Sequence, residues 1–99
     1  MVLSTSQTYL ALDLGAESGR AIVATFDGNK LTRNEIHCFG NGPVRLPDGI
    51  HWDVLCLWSE IKASIAAAIK SGANPAGIRL DTWGVVFALL DKNGTLSHA

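Results

Sequence analysis

The sequence predicts an α/β fold, a mixed sheet built in the order βββαββ. Three observations lead there. Short apolar runs separated by turn chemistry fill residues 9–39, as in a meander of strands. A single amphipathic stretch follows, with apolar residues at 54, 57, 58, 61, 65, 68 and 69, the spacing of one helix face. Two further apolar runs come after it, and a strand reached through a helical crossover can lie parallel to the first.

Each element has its own local reason. Residues 9–13 read Tyr-Leu-Ala-Leu-Asp, an apolar run ending in an acid just before Gly15, which fits a buried strand that delivers a carboxylate to a loop. Residues 14–18 are a tight connection, and residues 19–26 resume with β-branched and small apolar side chains. Asp27-Gly28-Asn29-Lys30 is strong turn chemistry, because Gly and Asn tolerate positive φ; residues 31–39 then return as an antiparallel partner. Residues 40–49 hold three glycines and two of the three prolines, and read as a loop. Asp53 is a good N-cap, with Trp52 and Leu57 placed for a hydrophobic staple. Ser59, Glu60, Lys62 and Lys70 take the outer face of the helix, and Gly72 with Pro75 beyond it gives the stop. Residues 77–83 and 85–90 form two more strands split by Gly84, and Asp91-Lys92-Asn93-Gly94 turns the chain into Thr95-Leu96. A meander, a crossover helix and a parallel return make a mixed sheet of the ribonuclease H-like kind.

Composition bounds the function classes. The chain has 99 residues, one domain at most, with residues 1–8 expected to be disordered and residues 9–99 a partial domain. Eight Lys and Arg stand against nine Asp and Glu, so there is no basic excess for nucleic acid or an anionic membrane surface. At 47% hydrophobic and 17% charged, the chain is apolar for its size, as expected if some surface is meant for missing chain, for another copy or for a partner. The first eight residues lack the basic and apolar regions of a signal peptide, and no run reaches about 18 apolar residues, so a soluble, cytoplasmic protein is expected. Cys38 and Cys56 lack CxxC spacing and read as buried, reduced thiols.

The most informative stretch is Asp13-Leu14-Gly15-Ala16-Glu17-Ser18-Gly19-Arg20. A strand ending in an acid, a turn with Gly and Ser, and an Arg entering the next strand offer converging N–H groups, a hydroxyl and a charged fork to a polyphosphate. Asp13 could hold Mg²⁺ directly or through water. The spacing is neither a Walker A loop nor GxGxxG. A plain hairpin turn with an Asp13–Arg20 ion pair explains the same residues. Asp81-Thr82-Trp83-Gly84 is the second candidate, polar groups and an indole at a strand end beside a glycine, fit for a sugar; the alternative is a core tryptophan beside a bulge. His37, His51 and His98 lack metal-site spacing, Ser18 lacks the context of a nucleophile, and Asp53 is better explained as a cap than as an acid.

Together with residues 35–42 (Glu-Ile-His-Cys-Phe-Gly-Asn-Gly), Trp52-Asp53 and residues 81–91 (Asp-Thr-Trp-Gly-Val-Val-Phe-Ala-Leu-Leu-Asp), the 13–20 motif resembles the N-terminal region of rhamnulokinases. These are bacterial members of the FGGY carbohydrate kinases, with an actin/hexokinase-type ATPase fold. The resemblance implies ATP-dependent phosphorylation of L-rhamnulose at its 1-hydroxyl in L-rhamnose degradation. It puts Ala16, Glu17, Ser18, Gly19 and Arg20 at the ATP phosphates and Asp13 beside Mg²⁺ and its water shell. It makes Gly84 a sugar contact, with Trp83 and Asp81 close by. Val86 stands where the family pattern carries an acid, and Arg79 where it carries a glycine, in a strand that otherwise reads as buried. The catalytic base, the second domain and the adenosine pocket are expected beyond Ala99, so the domain is incomplete and no catalytic residue is assigned within the chain, which is expected to be inactive alone. Two rival readings are a non-catalytic binding module derived from the same fold and an FGGY kinase for another sugar, such as fuculose or xylulose.

Overall fold

The computed structural model describes residues 6–84 and 88–98. In chain order the elements are β1 (Gln7–Leu14), β2 (Ser18–Phe26), β3 (Leu31–Gly40), β4 (Pro43–Leu46), β5 (Gly49–Trp52), α1 (Val54–Lys70), β6 (Gly77–Asp81), β7 (Leu89–Leu90) and β8 (Leu96–His98). The main sheet has the order β3-β2-β1-β6. The first three strands are antiparallel, and β6 returns parallel to β1, so the expected meander, crossover helix and parallel strand are all present.

Alternation fixes the buried face. Leu10 and Leu12 of β1 pair with Val23 and Ala21 of β2, and α1 packs on this side of the sheet. Leu10, Leu12, Ala21 and Ala68 form the core, with Val23, Ile36, Ile61 and Ile65 against it. The helix starts where Asp53 Oδ1 accepts the Cys56 N–H at 3.0 Å. It stops where Gly72 takes φ 89° and Ala73 N donates back to Ala68 O at 3.2 Å, a glycine-dependent C-terminus.

Several expectations change. The sheet begins earlier than the expected boundary after residue 8. Gln7 and Thr8 already pair with Phe26 and Thr25, and Thr8 O accepts from Ala76 N at 2.7 Å. Residues 40–49 are not a plain loop. Pro43 to Leu46 pair antiparallel with Gly49 to Trp52: Pro43 opens an edge strand, where a missing N–H is tolerated, and Gly49 supplies φ 142° at the turn. The helix stripe is rotated from the one expected. Trp58 and Ile69 are exposed, whereas Ser64 is fully buried because its hydroxyl donates to Glu60 O at 2.8 Å and needs no water. Glu60 is half-buried and meets His37 of β3 at 2.6 Å.

At the end of the chain, Leu89–Leu90 pairs with Leu96–His98 in a separate two-stranded ribbon, so this described part of the expected 85–90 strand does not join the main sheet. Val85, Val86 and Phe87 lie outside the described residues. Ile78, Arg79 and Leu80 of β6 are exposed, so Arg79 is not a buried charge. Cys38 and Cys56 are exposed rather than buried: Cys38 follows His37, which faces α1, and so takes the opposite face of the strand, and Cys56 sits in the first turn of α1. Among the described residues, no helix is long and apolar enough to cross a membrane.

Candidate functional site

The candidate site is built at the carboxyl ends of β1 and β6. Their parallel register makes Asp13 and Asp81 direct neighbours, while the β1–β2 register sets Asp13 opposite Arg20. Paired positions share a face, so one exposed face of three adjacent strand ends carries two carboxylates and a guanidinium. Arg20 makes its ion pair with Glu35 at 3.9 Å, both side chains about half exposed, and not with Asp13. A contact that open and that long is weak, which leaves the guanidinium available to an anion.

The turn between β1 and β2 holds Ala16 and Glu17, both exposed, with Ser18 and Gly19 opening β2. Gly15 N donates to Ser18 O at 2.9 Å, and a Cβ on Gly15 would stand only 2.7 Å from that same oxygen, so the turn admits glycine alone there. A Cβ on Gly19 would overlap the ring of Phe39. The two glycines of the motif thus sit where a side chain would meet the backbone of the turn in one case and the Phe39 ring in the other.

Asp81 closes β6 and accepts the Thr82 N–H at 3.1 Å. Trp83 is half-buried and meets Trp52 at the end of β5 edge-on, with ring centroids 4.9 Å apart and planes at 63°. It belongs to this aromatic corner and not to the core. Among the described residues, nothing lies within 4 Å of where a Cβ on Gly84 would stand. The register thus unites Asp13, Arg20 and Asp81, and the 15–18 turn and the 82–84 segment leave the sheet at the same edge, where open α/β sheets bind ligands.

The residue that sequence reasoning missed is Asn41. Its backbone N–H donates to Glu17 O at 2.9 Å, its Nδ2 to Gly15 O at 2.8 Å, and its Oδ1 accepts from Gly42 N at 2.9 Å. The one sequence signal is an Asn between two glycines just past a strand; its partners lie more than twenty residues upstream. Next to it, a cavity of about 330 Å³ is lined by residues including Phe39, Asn41, Cys56 and Glu60. The acids at its rim are already engaged, Asp53 in the helix cap and Glu60 with His37.

The donor set also bears on a cation. Carboxylate oxygens are hard ligands, and Mg²⁺ is held by one or two of them while keeping several waters. Asp13 and Asp81 meet that requirement, and among the described residues no group of three or more His, Cys, Asp or Glu forms a fuller cage.

No family model matches the chain. Individual relatives do. The chain is 39% identical over 87 residues to a rhamnulokinase of Oceanobacillus iheyensis, which covers 88% of this chain and 18% of that protein. It is 38% identical over 90 residues to one of Bacteroides thetaiotaomicron, covering 91% of this chain and 19% of the relative. A rhamnulokinase of Pectobacterium atrosepticum is 41% identical over 87 residues, again 18% of its length. The chain is therefore a relative of the rhamnulokinases along nearly all of its own length, and it spans less than a fifth of theirs.

Proposed function

We propose that the chain is part of the first domain of an FGGY-type sugar kinase of the cytoplasm, one that transfers the γ-phosphoryl group of ATP to the 1-hydroxyl of L-rhamnulose. The observation that carries this reading is the parallel register that sets Asp13 beside Asp81, below a glycine-restricted turn and next to Arg20. Phosphoryl transfer depends mainly on positioning and on neutralising charge, and this edge offers both. Ala16, Glu17, Ser18 and Gly19 hold the ATP phosphates through backbone N–H groups and the Ser18 hydroxyl, and Arg20 adds charged donors. Asp13 would hold Mg²⁺ through its water shell, and the ion would neutralise phosphate charge there. Asp81, Trp83 and Gly84 line the sugar, with the indole giving an apolar face to the ring carbons.

When the 1-hydroxyl attacks, its proton must go to a base and the bond from the γ-phosphorus to the bridging oxygen must break, releasing ADP. The base lies beyond Ala99 in this reading, as does the second lobe that excludes water. The 99 residues alone therefore do not turn over.

The test has two arms. The reading frame downstream of codon 99 is determined, and the continued product is assayed by coupled ADP release with L-rhamnulose, L-fuculose and D-xylulose. L-rhamnulose should give the highest kcat/KM. Preference for another ketose would reassign the sugar, and no ketose-dependent ADP at all would leave a non-catalytic module. The 99-residue chain should give none; sugar-dependent ADP from it would overturn its assignment as an incomplete site.

A further inference from the structure

Asn41 makes two bonds into the turn, and both end on carbonyl oxygens, Gly15 O at 2.8 Å and Glu17 O at 2.9 Å. In a trans peptide unit the N–H lies opposite the C=O, and among the described residues there is no cis bond. Drawing the Gly15 carbonyl toward Asn41 therefore turns the Ala16 N–H away from it, and drawing the Glu17 carbonyl does the same to the Ser18 N–H. Gly42 N, donating to Oδ1 at 2.9 Å, fixes the amide plane so that Nδ2 faces Gly15. A short turn that aims two of its N–H groups in one direction offers paired donors to an anion. A carbonyl left to rotate to that side would oppose the anion instead.

We propose that Asn41 is a positioning residue of the phosphate turn, holding two carbonyls on its own side so that the amides of Ala16 and Ser18 serve as phosphate donors. This rests on the phosphate-turn reading above. It assigns to the end of β3 a part in nucleotide binding without contact between the Asn41 side chain and the nucleotide.

The test is residue-resolved NMR of the ¹⁵N-labelled 99-residue chain titrated with tripolyphosphate, with and without Mg²⁺. In the native chain the amide signals of Ala16 and Ser18 should shift most. Asn41→Ala should weaken tripolyphosphate binding about tenfold, the equivalent of one hydrogen bond's net contribution, and should speed exchange of the Gly15 amide by a similar factor. The β1 and β2 signals of the same spectra report whether the sheet is intact. Asn41→Asp keeps the size of the side chain but sets an oxygen against the Gly15 carbonyl, and should lose at least as much affinity if the Ala variant does not fold. Native-like affinity in a folded variant would overturn the role of Asn41 alone. No shift in residues 14–20 of the native chain would overturn the phosphate-turn reading and this inference with it.

Discussion

Gly19 lies across from Phe39 in the β2–β3 pair, and the ring fills the space that a side chain would need. Gly19→Ala should therefore destabilise by about 1–3 kcal/mol through overpacking, read from urea unfolding. Phe39→Leu in the same chain should recover part of that loss, and strictly additive losses would rule out the contact as its cause. Asp27 gives a test on pH. Its carboxylate accepts the Lys30 N–H at 2.7 Å and the Asn29 N–H at 2.9 Å, and these bonds, Lys30 first, hold it below the ordinary aspartate range. With the folded value lower than the unfolded one, this contribution is complete above the unfolded pKa and is lost as pH falls through the folded one, below about pH 4. A ¹³C carboxyl titration should show the depressed midpoint, and Asp27→Asn should remove this part of the acid dependence of stability. Such local devices were legible because both partners sit within a few residues: the Asp53 cap spans three positions, as does the Asp27 turn. Asn41 and the Arg20–Glu35 pair were not, since strand pairing alone brings their partners close.

Helix α1 was legible in existence, start and stop, because spacing, Asp53 and Gly72 agree. Its orientation was not. The helix packs on β1 and β3, which turns Ser64 and Ala68 inward and leaves Trp58 and Ile69 at 55% and 66% exposure. A hydroxyl bonded to its own helix backbone can be buried at little cost, and no count of apolar residues signals that. Ala68→Leu should cost about 1–3 kcal/mol, whereas Ile69→Glu should stay within about 0.5 kcal/mol; thermal melts followed by circular dichroism would compare them. The β4–β5 hairpin hid behind Gly and Pro, which read as loop but sit at its ends, where neither a ladder N–H nor negative φ is required. It brings Trp52 to Trp83, so the segment that reads as a loop supports one wall of the candidate sugar site.

At the level of the whole molecule, the excess of apolar residues has a location. Ile78 and Leu80 of β6 pair with Leu10 and Leu12 and face the helix side of the sheet, yet they are 55% and 51% exposed, on a strand that ends the sheet. An apolar edge strand invites association, so sedimentation should show the isolated chain self-associating with concentration, and Leu80→Lys should reduce this without changing the melting temperature by more than a few degrees. The parallel return was readable because a helix between strands favours it, whereas which residues face each other across that return depends on register. That register also sets a sequence of events. Asp13 meets its neighbour Asp81 only after the most distant pairing in the sheet closes, and contacts of long sequence separation form late. A nascent chain released from the ribosome at residue 60 would already hold β1, β2 and β3, with the turn between the first two, but not the paired acids. Affinity for a hydrated cation held by Asp13 would thus rise when the last strand of the main sheet docks and sets Asp81 beside it, and a Mg²⁺ effect on refolding would report that final step.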